Sequence, residues 1–134
     1  NKMLADNLSV LRKRNKLSQE ELADKLCLSR QTISKYETGE TIPDILVCQK
    51  MAEIFNVSLD DLVNYNDSND LLGIPPKGKY FFGTVKVIDN KIVIPKKAMK
   101  LFAINEGDKL IVLGDEEKGI GILKEEVLLK AMNK

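Results

Sequence analysis

Leucines at positions 4, 8 and 11 recur at i, i+4 and i+7, with Arg12, Arg14 and Lys16 on the other face, which predicts an amphipathic helix over residues 3–15. Ser18-Gln19-Glu20-Glu21 reads as a capping box, in which the Ser18 hydroxyl accepts an early backbone N–H and Glu21 reaches back to the cap. It starts a second helix that buries Leu22, Ala23 and Leu26. Ser29 caps a third after a turn of only three or four residues; that helix buries Ile33 and Tyr36 and stops at Gly39, a left-handed terminator. Pro43 and Asp44 open a fourth, running through Ile45, Met51, Ala52 and Phe55, because a fixed φ and a carboxylate both suit a first turn. Ser58 with Asp61 caps a short fifth helix ending near Val63. Residues 1–64 therefore read as five short helices.

The periodicity then dissolves into Asn, Asp, Ser and Gly with a Pro75-Pro76 pair, so residues 65–79 are expected to be a semi-extended linker. Beyond it the pattern favours strands. Thr84 to Ile88 and Lys91 to Pro95 read as a pair joined at Asp89-Asn90, and Lys109 to Leu113 and Gly119 to Leu123 as a second pair around Asp115–Lys118. A helix from Lys96 to Phe102 separates the pairs, and another from Glu125 to Met132 follows them. Residues 80–134 form a second domain near the size at which isolated domains are marginal, so association of two copies is expected to complete its core.

Composition removes several functions. The 134-residue chain holds 43% hydrophobic and 31% charged residues, the balance of a globular protein. It contains no His and no Trp, which takes away the commonest acid/base catalyst and metal ligand and any triad that needs histidine. Cys27 and Cys48 lie too far apart for a CxxC redox or zinc motif and are expected to be reduced, buried thiols. No metal, cofactor or catalytic residue is expected, and the chain is not read as an enzyme. No apolar run approaches a membrane span, and the start at Asn-Lys-Met, with Met3 read as a natural first residue, lacks a signal pattern. A cytoplasmic, nucleoid-associated protein is the expectation.

Charge points to a partner. The net charge of +1 divides into −3 over residues 1–70 and +4 over residues 71–134, yet all three arginines fall in the first 30 residues. Arginine is the side chain that forks onto guanine edges and phosphates. A capped helix, a tight turn and a second capped helix beside a basic first helix form a helix-turn-helix arrangement, whose second helix lies in the DNA major groove. On that helix Arg30, Gln31, Ser34 and Lys35 face away from Ile33 and Tyr36. They are the candidate base readers, Arg matching guanine N7 and O6, and Gln matching adenine N7 and N6. Lys35 has phosphate contact as its alternative, and Arg14 and Lys16 are read equally as phosphate contacts or a solvated face.

The run Leu11-Arg-Lys-Arg-Asn-Lys-Leu-Ser-Gln-Glu-Glu-Leu-Ala, with Ser29-Arg-Gln-Thr-Ile-Ser-Lys-Tyr-Glu-Thr-Gly, resembles the Cro/lambda-repressor (XRE) type of helix-turn-helix regulator over residues 3–64. The resemblance implies that Gln19 bonds a phosphate, that Thr32 and Thr38 touch the DNA backbone, with Ser29 in the same phosphate-contacting set, and that Arg12 forms a structural ion pair with Glu37. Cys27 departs from the Gly or Asn common at the turn, which implies a small cost in left-handed geometry.

The second half, Val87-Ile-Asp-Asn-Lys-Ile-Val-Ile-Pro-Lys-Lys-Ala-Met-Lys-Leu-Phe-Ala-Ile-Asn-Glu-Gly-Asp-Lys-Leu-Ile-Val-Leu, resembles the AbrB/SpoVT/MazE swapped-hairpin domain over roughly residues 83–124. That resemblance implies a β-rich barrel formed by two interleaved chains. This segment has no Arg and offers Lys86, Lys91, Lys96 and Lys97, so dimerisation is its expected role and phosphate contact a minor one. Together the two resemblances imply a dimeric, sequence-specific regulator on a two-fold symmetric operator. An autoregulating antitoxin that binds a toxin, and a regulator with a small-molecule effector in its barrel, are the rival expectations.

Overall fold

Local chemistry sets the helix ends. A computed structural model of the chain describes residues 2–66 and 73–133, which fall into a helical unit up to Phe81 and a second unit from Phe82. The first helix, α1, runs Lys2–Arg14, and Lys16 in the left-handed region (φ 58°) closes it, its N–H donating to the Lys13 carbonyl. In α2 (Gln19–Leu26) both halves of the capping box form: Glu21 N–H donates to Ser18 Oγ at 3.0 Å, and Ser18 N–H to Glu21 Oε1 at 3.0 Å. Cys27 ends α2 in left-handed geometry, φ 57° and ψ 40°, without glycine's freedom; contrary to the expectation of a buried thiol it is exposed, because it stands in the turn beyond the last buried residue of α2, while Cys48 is buried.

Ser29 opens α3 (Arg30–Thr38), accepting Thr32 N–H at 3.2 Å, and Gly39 ends it at φ 79°. Asp44 caps α4 (Ile45–Phe55) by accepting Val47 N–H, and Ser58 caps α5 (Leu59–Asn64) by accepting Asp61 N–H. The polar residues singled out as helix starts thus each satisfy an otherwise orphaned donor, worth about 1 kcal/mol per cap.

The core of this unit combines Leu4, Leu8 and Leu11 of α1, Leu22 and Leu26 of α2, Ile33 of α3, Met51 and Phe55 of α4, and Leu62 of α5. Tyr36, expected to be buried, is half-buried and packs on the cluster's edge. Full burial of each large apolar side chain contributes about 1.5–3 kcal/mol, so the leucine stripe of α1 holds this unit together. Two contacts lie outside the periodic pattern. The buried Asn7 amide donates to the carbonyls of Leu62 and Tyr65, each at 3.0 Å, satisfying acceptors left over where α5 ends.

Ile74 is the second, and it belongs to the stretch expected to be a linker. Residues 67–72 of that stretch lie outside the described residues. Residues 73–77, by contrast, lie against the helices: Ile74 is only 3% exposed within the core cluster, its carbonyl accepts from Arg14 Nη1 at 2.7 Å, and Lys77 N–H donates to Asn56 O at 2.7 Å. An isoleucine beside an open core edge gains more from burial than from solvation, and the following Pro75 and Pro76 hold the backbone extended against the surface.

In the second unit the later strand pair forms and the earlier one does not. β1 (Leu110–Asp115) and β2 (Gly119–Lys124) make a two-stranded antiparallel sheet in the register Leu110↔Lys124 to Asp115↔Gly119. Asp115 Oδ1 accepts from Glu117 and Lys118 N–H at 2.9 Å each, and Gly119 supplies φ 100°. α6 (Lys96–Leu101) and α7 (Glu125–Met132) accompany them.

The strands expected at Thr84–Ile88 and Lys91–Pro95 are reduced to one bridge, Ile88↔Lys91, around Asp89 (φ 53°) and Asn90 (φ 65°). The turn has the two positive φ angles that close a tight hairpin, but a lone two-stranded hairpin without a face to pack on is marginal. Val85, Val87, Ile92 and Val93 of this stretch are exposed. A single chain therefore does not close the expected barrel among its described residues.

Candidate nucleic-acid interface

Ile33, fully buried, fixes which face of α3 turns inward, and the helical period then sets the outer face. Arg30, Gln31 and Lys35 are exposed there and Ser34 is half-buried. With Glu40 they line one shallow, open hollow of about 280 Å³. The four expected readers are brought together, and Glu40, which sequence reasoning missed, joins them. Its signal was weak, because it lies beyond Gly39 and outside the helical period. It reaches the hollow because Thr41 N–H donates to Lys35 O at 3.3 Å, turning residues 40–41 back along the last turn of α3.

The orientation of α3 is locked from behind. Arg12 Nε donates to Glu37 Oε2 at 2.7 Å, Nη2 to Oε1 at 3.0 Å, and Nη1 to the Leu17 carbonyl at 2.8 Å. The side chains are 12% and 8% exposed. This two-pronged pair ties α1 and the loop after it to the end of α3, the geometry for which a guanidinium is suited. The hydrogen bond to Glu37 raises the Arg12 pKa above its ordinary value, against an opposing effect of burial, so the guanidinium stays charged. The arrangement matches the structural pairing that the family resemblance implied.

Of the expected phosphate contacts, Gln19, Ser29, Thr32, Thr38 and Arg14 are engaged within the helical unit. Gln19 Nε2 donates to Glu37 Oε1 at 3.4 Å, which places its amide at the α2 start beside the Arg12–Glu37 pair. Ser29 Oγ and Thr32 Oγ1 lie 2.8 Å apart, and Thr38 Oγ1 donates to Lys35 O at 3.1 Å. Arg14 holds the Ile74 carbonyl, and Lys16 is exposed. Among the described residues no three His, Cys, Asp or Glu side chains converge as a metal group, and no helix is long and apolar enough to cross a membrane.

The helical unit matches known proteins. Residues 8–62 fit the Helix-turn-helix family. The chain is 38% identical over 64 residues to the HTH-type transcriptional regulator MJ0272 of Methanocaldococcus jannaschii, a match covering 48% of this chain and 97% of that protein. It is likewise 38% identical over 68 residues to the HTH-type transcriptional regulator YqaE of Bacillus subtilis, covering 51% of this chain and 58% of the relative's length. The solved structure of a transcriptional regulator from Listeria innocua is 38% identical, with a TM-score of 0.45 over 51% of this chain and 65% of that one. With a relative 38% identical and covered over 97% of its length, the chain belongs to the helix-turn-helix family of transcriptional regulators.

Proposed function

We propose that this protein binds duplex DNA sequence-specifically as a homodimer, inserting α3 into the major groove of each half of a two-fold symmetric operator. The observation that carries the reading is the hollow on α3, where Arg30, Gln31, Ser34 and Lys35 present hydrogen-bonding groups while Ile33 and the Arg12–Glu37 pair fix the helix behind them. Arg30 and Gln31 match guanine and adenine edges, and Gln19, Ser29, Thr32, Thr38 and Lys16 lie on the elements that would flank the groove as phosphate contacts. Arg14, committed to Ile74, contributes less. The protein acts by binding, not catalysis, in keeping with relatives that are transcriptional regulators.

Dimerisation is assigned to residues 82–134, in the manner of the AbrB/SpoVT/MazE resemblance. Among the described residues of that unit Ala98 is the one buried hydrophobic side chain, while Val87, Val93, Ile120 and Val127 stand more than half exposed. So much unburied apolar surface on about 50 residues calls for a second copy to cover it. Partner strands would also supply the ladder that residues 84–95 lack. Lys86, Lys91, Lys96 and Lys97 add charge for phosphates without arginine's fork.

Selection of the full chain against random duplexes, with affinity measured at two salt concentrations, tests the reading. The expected product is a palindromic site whose affinity falls steeply with salt. Arg30→Ala or Gln31→Ala should each weaken the best site by about 1–3 kcal/mol and relax one base pair per half-site. Enrichment of no duplex sequence, or a monomer by sedimentation at the concentrations that bind, would refute it.

A further inference from the structure

Three carboxylates lie at or just beyond the end of α3, and two already have work within the fold. Glu37 holds Arg12, and Asp44 caps α4 by accepting Val47 N–H at 2.9 Å. Glu40 is different. It is exposed, lines the hollow with Arg30, Gln31, Ser34 and Lys35, and no hydrogen bond or ion pair engages its carboxylate among the described residues.

Its neighbours in the hollow bring a guanidinium, an amide, a hydroxyl and an ammonium, all of which donate hydrogen bonds. An ionised carboxylate only accepts. Set into a groove walled by phosphates, it is repelled unless it meets a donor, and an unmet charge there rejects the sequence concerned. The major groove offers two donors, the cytosine N4 amino group and the adenine N6 amino group. Adenine places its N7 acceptor beside the amino group, where it opposes the second carboxylate oxygen; cytosine places no acceptor there on its own edge. The chemistry therefore selects cytosine.

We propose that Glu40 is a specificity-determining residue that accepts a hydrogen bond from one cytosine in each half-site and disfavours the other bases at that position. This rests on the reading of α3 as the DNA-contacting helix.

The test is a random-duplex selection with the full-length wild type, Glu40→Gln, Glu40→Ala and Arg30→Ala, each first checked for an unchanged melting curve. The wild type should select a C·G pair at one position per half-site. Glu40→Ala should lower preference at that pair about tenfold and leave the other positions intact. Both Glu40 variants should bind non-specific duplex more tightly at low salt, because one repelled charge is gone. Arg30→Ala should relax a different position.

Unchanged preferences at every position in both Glu40 variants would overturn the assignment, as would a uniform weakening across all positions, which marks a structural role. Failure of the wild type to select any duplex would instead overturn the DNA-binding reading itself, so the two failures are distinguishable.

Discussion

The Arg12–Glu37 pair offers the sharpest check on how α3 is held. Its three hydrogen bonds, at 2.7, 3.0 and 2.8 Å, join α1, the α1–α2 loop and α3, and the side chains are 12% and 8% exposed. Removing one partner leaves the other charge partly desolvated, which in enclosed pairs costs about 3–5 kcal/mol, whereas replacing both by apolar groups is often near neutral. Residual solvent contact puts Glu37→Leu or Arg12→Met at the lower end, about 3 kcal/mol. For a unit of this size that is a fall in melting temperature of about 12–24 °C. Arg12→Met loses in addition the donor to Leu17 O, so it should be the worse of the two.

The assay is thermal and denaturant unfolding of the full chain by far-ultraviolet ellipticity, for both single variants and the double variant. The double variant should recover at least about 1 kcal/mol relative to the sum of the single losses, the coupling expected of groups in direct contact. Single losses under about 1 kcal/mol, or strict additivity, would refute the claim that this pair locks α3. A loss of operator binding by Arg12→Met with an unchanged melting curve would refute it from the other side, making Arg12 a DNA contact.

Two further outcomes follow from burial. Ile74→Ala should destabilise the helical unit by about 2–4 kcal/mol in the same unfolding assay, since it empties a core position; a change within about 0.5 kcal/mol would mean residues 73–77 do not support that unit. In the native protein a thiol-reactive probe should modify Cys27 quickly and Cys48 only on unfolding, because Cys48 is buried and burial, then the nearby Asp44 charge, pushes its thiol pKa up and depletes the reactive thiolate. Equal rates for both thiols would contradict the core assigned to α4.

What the sequence determined by itself is the part written in short-range chemistry. The Ser18–Glu21 box, the Ser29, Asp44 and Ser58 caps and the Gly39 stop each act within one turn of helix, so residue type and spacing were enough to place α2 to α5, as the leucine period was for α1. The outer face of α3 followed from the same period, because burying Ile33 dictates which side chains point away. The Arg12–Glu37 pair was legible through family resemblance, since its partners lie 25 residues apart and no local rule connects them.

Tertiary structure alone decided the contacts that need an assembled core. Asn7 meets α5 across 55 residues, and Arg14 meets the Ile74 carbonyl across 60, so that a segment with the composition of a linker becomes part of the helical unit. Glu40 enters the hollow on α3 only because Thr41 folds back on Lys35. Strand propensity at residues 84–95 was real but insufficient, for a ladder needs a partner and a face to pack on, and one chain supplies neither there. Helix signals are closed within a few residues, whereas a strand's stability, like a carboxylate's partner, is settled by whatever the rest of the fold brings alongside it.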